Sequence, residues 1–146
     1  MDMEAAMKRI PPHSAEAEQA VLGAMLMNKE AITVASEILS GDDFYQTAYG
    51  ILFNSMVELF HAGKPVDLIT LQEYLKEKDV PSEISSMEFA RDLLMGTQTS
   101  ANIKSYAEIV REKSIMRRLI KVNEETANAC YLPVSYTHLR AHETDS

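Results

Sequence analysis

The chain has 146 residues, 46% hydrophobic and 25% charged, with nine methionines, five glycines and no tryptophan. That suits one helical domain packed through flexible apolar side chains better than a sheet-based fold. Its formal charge of −8 is unevenly spread: residues 1–103 carry 7 Lys/Arg against 16 Asp/Glu, whereas residues 104–121 carry 6 against 2. An acidic body of this kind repels phosphate and is a poor nucleic-acid surface. A single cysteine, Cys130, excludes an intramolecular disulfide, and as a lone helical Cys it reads as a small buried hydrophobe. No apolar run approaches the ~20 residues of a membrane span, and the N-terminus lacks a secretory h-region. The expected setting is cytoplasmic.

In chain order, Ser14 is placed to cap a first helix with the stripe Ala17, Ala20, Val21, Ala24 and Met25, broken at Asn28. A short second helix puts Ala31, Val34, Ala35 and Ile38 on one face and ends at Ser40-Gly41-Asp42-Asp43. Tyr49, Leu52, Phe53, Met56, Val57 and Phe60 mark a third, stopped by Gly63 as a C′ glycine with Pro65 beyond. Thr70-Leu71-Gln72-Glu73 fits a capping box for a helix reaching about Lys78. After Pro81, Ser85-Ser86-Met87-Glu88 offers a second box for a helix ending at Gly96. From Ala101 to Tyr131 there is no proline or glycine, so a rod of roughly 45 Å is expected, part of it projecting from the body. The predicted fold is all-α: a flexible N-terminus (1–12), a small helical bundle head (13–100), a long projecting helix (101–132) and a tail (133–146) that breaks the pattern.

That tail resembles the peptide obtained by translating sequencing-adapter DNA, so it is set aside from the fold. It holds the chain's best metal pattern, His138 and His142 four apart with Glu143 adjoining. The Glu follows the second His rather than the first, and His13 and His61 stand far upstream, so no metal site is assigned. No Gly-x-x-x-x-Gly-Lys-Ser/Thr phosphate loop and no Gly-x-Ser-x-Gly elbow is present. The pairs Asp42-Asp43 and Glu124-Glu125 read as solvated surface. No catalytic, cofactor-binding or metal residue is expected.

On the long helix, Ile109, Met116 and Ile120 form one apolar row and Ile115, Leu119 and Val122 a second beside it. An isolated helix cannot bury so broad a stripe, so these six residues are the candidate interface. Arg111, Lys113, Arg117, Arg118 and Lys121 form a candidate basic surface. It suits DNA, an acidic protein surface, or internal pairing of Arg111 and Lys113 with Glu108 and Glu112.

Four ordered stretches resemble the N-terminal domain of DnaB-type replicative DNA helicases over roughly residues 10–132. They are Pro12-His-Ser-Ala-Glu16-Ala-Glu18-Gln19-Ala-Val-Leu22-Gly23; Asp43-Phe44-Tyr45 leading to Ile51-Leu52-Phe53; Gly63-Lys-Pro65-Val-Asp67-Leu-Ile-Thr70-Leu71; and Ala101-Asn102 through Tyr106, Arg111 and Lys113 to Arg117-Arg118-Leu119-Ile120. The resemblance implies a collar domain that self-associates as a dimer or hexamer ring, binds the C-terminal domain of a DnaG-type primase and serves a helicase loader. In the parent protein, an ATP- and Mg-dependent motor would unwind duplex DNA around a single strand. The long helix would be the first arm of a hairpin whose second arm is missing here, a truncation at about Leu132. Gly23 inside a helix implies close approach of another helix, Phe44 would plug one end of the bundle, and Glu83-Ile-Ser-Ser86 replaces the family's Gly-Gly turn, so that loop is expected to differ. The alternative is a stand-alone helical nucleic-acid-binding or adaptor protein using the basic helix 104–121.

Overall fold

A computed structural model describes residues 9–132, and over them the chain is all-helical, as its periodicity predicts: seven α-helices, one short 3-10 turn and no strand. Helix α1 (Ala15–Met27) starts where the Ser14 hydroxyl accepts the N–H of Ala17. Asn28 serves both sides of the next junction. Its N–H closes α1 on the carbonyl of Ala24, and its side chain accepts the N–H of Glu30 to open α2 (Lys29–Ile38). The 3-10 turn Gly41–Asp43 leads through Phe44 into α3 (Thr47–His61). At its end Gly63 adopts φ +74°, and Lys64 and Gly63 donate to the carbonyls of Leu59 and Phe60. That bond pair is the Schellman motif the Gly-x-Pro pattern implies.

Two caps lie elsewhere than the sequence patterns suggest. Helix α4 (Leu68–Glu77) is capped by Asp67, whose carboxylate accepts the N–H of Thr70 while the Thr70 hydroxyl accepts the N–H of Asp67. Thr70 is therefore the third residue of the helix rather than its cap, because Asp67 offers the same reciprocal geometry one turn earlier. Helix α6 (Met87–Met95) is capped by Ser86 rather than Ser85. Ser85 instead ends α5 (Ser82–Ser85), a single helical turn. Helix α7 (Ile103–Cys130) is continuous for 28 residues, roughly 42 Å.

The described residues belong to two compact units, one ending at Ser114 and the other beginning at Ile115. The first unit, the head, holds the core: Val21, Leu22 and Met25 of α1, Ile32 of α2, Leu52, Phe53 and Met56 of α3, Leu71 and Leu75 of α4, Leu93 of α6, and Ile103, Ala107 and Val110 of α7. Each fully buried large side chain contributes about 1.5–3 kcal/mol. Phe44 is buried against Phe53, with ring centroids 5.1 Å apart.

Gly23 bears out the inference of a close approach. A Cβ there would lie 1.6 Å from the Thr97 hydroxyl and 2.8 Å from the carbonyl oxygen of Leu93. The Thr97 hydroxyl is itself fixed, donating to that same carbonyl at 2.8 Å. Gly23→Ala should therefore cost about 2–3 kcal/mol through overpacking. Gly96→Ala, whose Cβ meets only ordinary contacts from 3.4 Å outward, should be close to neutral. Thermal unfolding of the two variants compares them directly, and equal midpoints would mean that the end of α6 retreats from Gly23 without cost.

Candidate protein-docking surfaces

The six interface candidates are all exposed. Ile109, in the head unit, is 38% exposed, while Ile115, Met116, Leu119, Ile120 and Val122, in the second unit, range from 42% to 58%. Beyond Ser114, residues 115–132 contribute no buried residue. The core face of α7 consists instead of Ile103, Ala107, Val110 and Ser114, residues the stripe assignment passes over. Cys130 is exposed, not buried, since nothing described packs over that end of α7.

The basic candidates do not form one face. Arg111 and Arg118, seven apart, lie in one row with Lys104, whereas Lys113, Arg117 and Lys121 follow one another at four-residue intervals. Lys113 and Arg117 are half-buried, while Arg118 and Lys121 are exposed. Arg111 is drawn inward: its guanidinium lies 3.7 Å from Asp43 Oδ2.

Asp43, read from the sequence as part of a solvated pair, is buried, and so is Glu18. Asp43 is fully buried. It accepts the Ser114 hydroxyl at 2.7 Å and the N–H of Ser40 at 2.8 Å, besides facing Arg111. Glu18, 1% exposed on α1, accepts the N–H groups of Tyr45 and Gln46 at 2.9 and 3.3 Å. Gln46 is the N-cap of α3 and makes no side-chain cap bond of its own. A carboxylate at that end satisfies free donors and lies favourably in the helix dipole. These are structural carboxylates, each satisfied where it is buried.

A groove of about 630 Å³ opens between α1, α6 and the first turn of α7, lined by Gln19, Tyr49, Phe89, Asp92, Thr97 and Tyr106 among others. Gln19 donates to the Tyr49 hydroxyl across it at 2.9 Å. Its lining comes from several separate segments of the chain, and no local pattern in the sequence marks it. Among the described residues no three His, Cys, Asp or Glu side chains are grouped as metal ligands. His138, His142 and Glu143 lie outside the described residues.

Between α3 and the end of α4, Glu58 of α3 receives the Tyr74 hydroxyl and, at 2.7 Å, the Lys78 ammonium, which also sits 4.8 Å over the Tyr74 ring. The Lys78 hydrogen bond, then that of Tyr74, hold the Glu58 carboxyl below its ordinary 4.5, and Glu58 raises Lys78 and Tyr74 in turn. For Glu58, whose pKa falls on folding, the stabilisation is present above 4.5 and is lost as pH drops through the lower folded value. For Lys78, raised on folding, it is present below 10.5 and is lost as pH climbs through the higher folded value. With side chains 37% and 48% exposed, the pair contributes no more than about 1 kcal/mol. Lys78→Met should lower the melting point slightly at neutral pH, and the deficit should shrink as pH falls below 4.5 and through the lower folded value of Glu58. A pH-independent deficit would mean that the Lys78 stem, not its charge, matters.

No described helix is long and apolar enough to cross a membrane. Residues 10–112 match the family model described as DnaB-like helicase N terminal domain. The chain is 42% identical over 122 residues to the replicative DNA helicase DnaB of Pasteurella multocida, and 43% identical over 123 residues to the replicative DNA helicase DnaC of Bacillus subtilis. Each alignment takes in 84% of this chain but only 26% and 27% of the relative, so the chain spans about a quarter of their length. Among solved structures, the N-terminal domain of DnaB helicase from Mycobacterium tuberculosis superposes with a TM-score of 0.83 at 30% identity, covering 94% of this chain and all of that one. The N-terminal domain of DnaB helicase from Helicobacter pylori, described together with its interactions with primase, shares the fold at a TM-score of 0.69 and 20% identity, covering 90% of this chain and all of that one.

Proposed function

The chain belongs to the family of DnaB-like helicase N-terminal domains, and from that premise we propose that it works as a protein–protein module of a longer replicative DNA helicase. In this reading α7 is the first arm of a helical hairpin. Its apolar rows pair with a second arm and with another copy to build a dimer or hexamer collar. The same domain docks the C-terminal domain of a DnaG-type primase, and a helicase loader acts on the assembled ring. ATP and Mg belong to the motor of the parent protein, which passes single-stranded DNA in the cytoplasm. The head then contributes position and recognition, with no chemistry of its own.

The observation that carries this reading is the exposed apolar stripe of α7. Six large apolar side chains at 38% to 58% exposure exceed what a solvated helix carries without a partner. Titration of the domain with a primase C-terminal domain, followed by calorimetry, tests the docking part. Saturable binding supports it, and no heat at any accessible concentration would remove it. The DNA-binding alternative is tested by adding single-stranded DNA at low salt. Binding that weakens steeply as salt rises would favour it, although Arg111 is already engaged with a buried carboxylate.

A further inference from the structure

Helix α7 carries one side-chain spacing twice. Ile103, Ala107, Val110 and Ser114 are separated by four, three and four residues, and all four are buried on the head. Starting at Ile115, the residues Ile115, Leu119, Val122 and Thr126 repeat the same intervals. This second row is exposed, with Leu119 at 58% and Val122 at 57%, and the Thr126 hydroxyl turns back to the carbonyl of Val122 at 2.8 Å. Its chemistry is the more apolar of the two, since Leu119 stands where the first row has Ala107. Hydrophobic burial increases with apolar area, so it does not by itself select the first row.

Two features of the head do discriminate. Ala107 has no exposed surface, so its seat is filled by a methyl group, and a leucine there overpacks. The other feature is electrostatic. Asp43, with 0% of its surface exposed, takes the Ser114 hydroxyl on Oδ1 at 2.7 Å and faces the Arg111 guanidinium at 3.7 Å from Oδ2. At the matching places of the second row stand Thr126 and Asn123. A hydroxyl is offered again, but the cation is not. A buried carboxylate that loses its compensating charge is strongly disfavoured.

We propose that Asp43 is a register key. It admits the row bearing Arg111 and Ser114 to the head and rejects the row bearing Asn123 and Thr126, which keeps the second row free for a partner. A slip to the second row requires residues 103–114 to unwind into a connection, or α7 to exchange between two copies. Either event uncovers Val110. The key stands whether or not the second row self-associates, because it concerns the head's choice alone.

The test uses the full chain with Cys130→Ser, and a single thiol introduced in turn as Val110→Cys, Leu119→Cys or Met56→Cys. Reaction with a thiol reagent under native conditions reports which side chains are covered. With the key intact, the thiols at 110 and 56 are protected and that at 119 reacts fast, as their burial requires. The key is removed in two ways: Arg111→Asn with Ser114→Thr, which gives the first row the polar residues of the second, and Asp43→Asn, a neutral isostere that no longer demands a cation. The expected result is that labelling at 110 accelerates about tenfold more than at the core control 56, with labelling at 119 slowed. Parallel acceleration at 110 and 56 would reduce Asp43 to a general stabiliser and overturn the proposal. An unchanged rate at 110 in Asp43→Asn, which preserves size, would overturn it as well.

Discussion

Glu18→Ala is expected to destabilise the head by about 3 kcal/mol. The reason is local. The Glu18 carboxylate is 1% exposed and accepts two backbone N–H groups, of Tyr45 and Gln46, at the start of α3. Truncation removes the carboxylate that both part-buried donors use, and it takes an anion from the positive end of a helix. It also opens a void between α1 and the turn preceding α3. Thermal unfolding should show a midpoint roughly 10 °C lower for a domain of this size. Glu18→Gln keeps one acceptor oxygen in place and should fall between the parent and Glu18→Ala. Were Gln as damaging as Ala, the negative charge would be the main contribution, and the hydrogen bonds would be secondary.

The same residue shows where sequence reading loses its grip. Period and punctuation give the helices: Ser14, Asn28 and Gly63 act where their side-chain chemistry says they should. Cap positions slip by one to three residues because Asp67, Thr70, Ser85 and Ser86 all offer capping oxygens within a turn of one another, and only the backbone decides among them. Buried acids are harder still. Nothing near Glu18 in the chain announces burial, since its backbone partner lies 27 residues away, and although Ser40 is a local partner of Asp43, the Ser114 hydroxyl that meets its other oxygen comes from 71 residues away. The groove of Gln19, Tyr49, Phe89 and Tyr106 is invisible for the same reason.

Helix α7 was legible in extent but ambiguous in face. Spacing alone finds Ile109, Met116 and Ile120 as readily as Ile103, Ala107 and Val110, and it favours the first set because those side chains are larger. The head takes the smaller set, since a methyl group fits under α7 and a hydroxyl and a guanidinium meet Asp43 there. The larger set is left for contacts the head does not make. A residue's hydrophobicity says that it wants cover. Which surface supplies the cover depends on shape and charge complementarity with a distant part of the fold.

That division makes the final prediction selective. Ile115→Asp should leave the melting point of the head unchanged within about 0.5 kcal/mol, because Ile115 is 42% exposed and lies beyond the core face of α7. Self-association should nevertheless weaken by about a hundredfold, since placing a carboxylate in an apolar helix–helix contact costs about 3 kcal/mol or more. The measurement is light scattering over a concentration series, made on the chain extended by the segment that follows this domain in the relatives, so that the proposed second arm is available to pair. Leu119→Asp, one turn further along the same row, should act in the same direction. Loss of assembly with an intact head would fix the stripe as the contact between copies. An oligomer indifferent to both substitutions would move that contact to another surface and leave the stripe to the second arm alone. A fall in head stability equal to the loss of assembly would instead make Ile115 part of the core, against its exposure and against the polar residues, Arg117, Lys121 and Glu124, that continue the core face of α7 beyond Ser114.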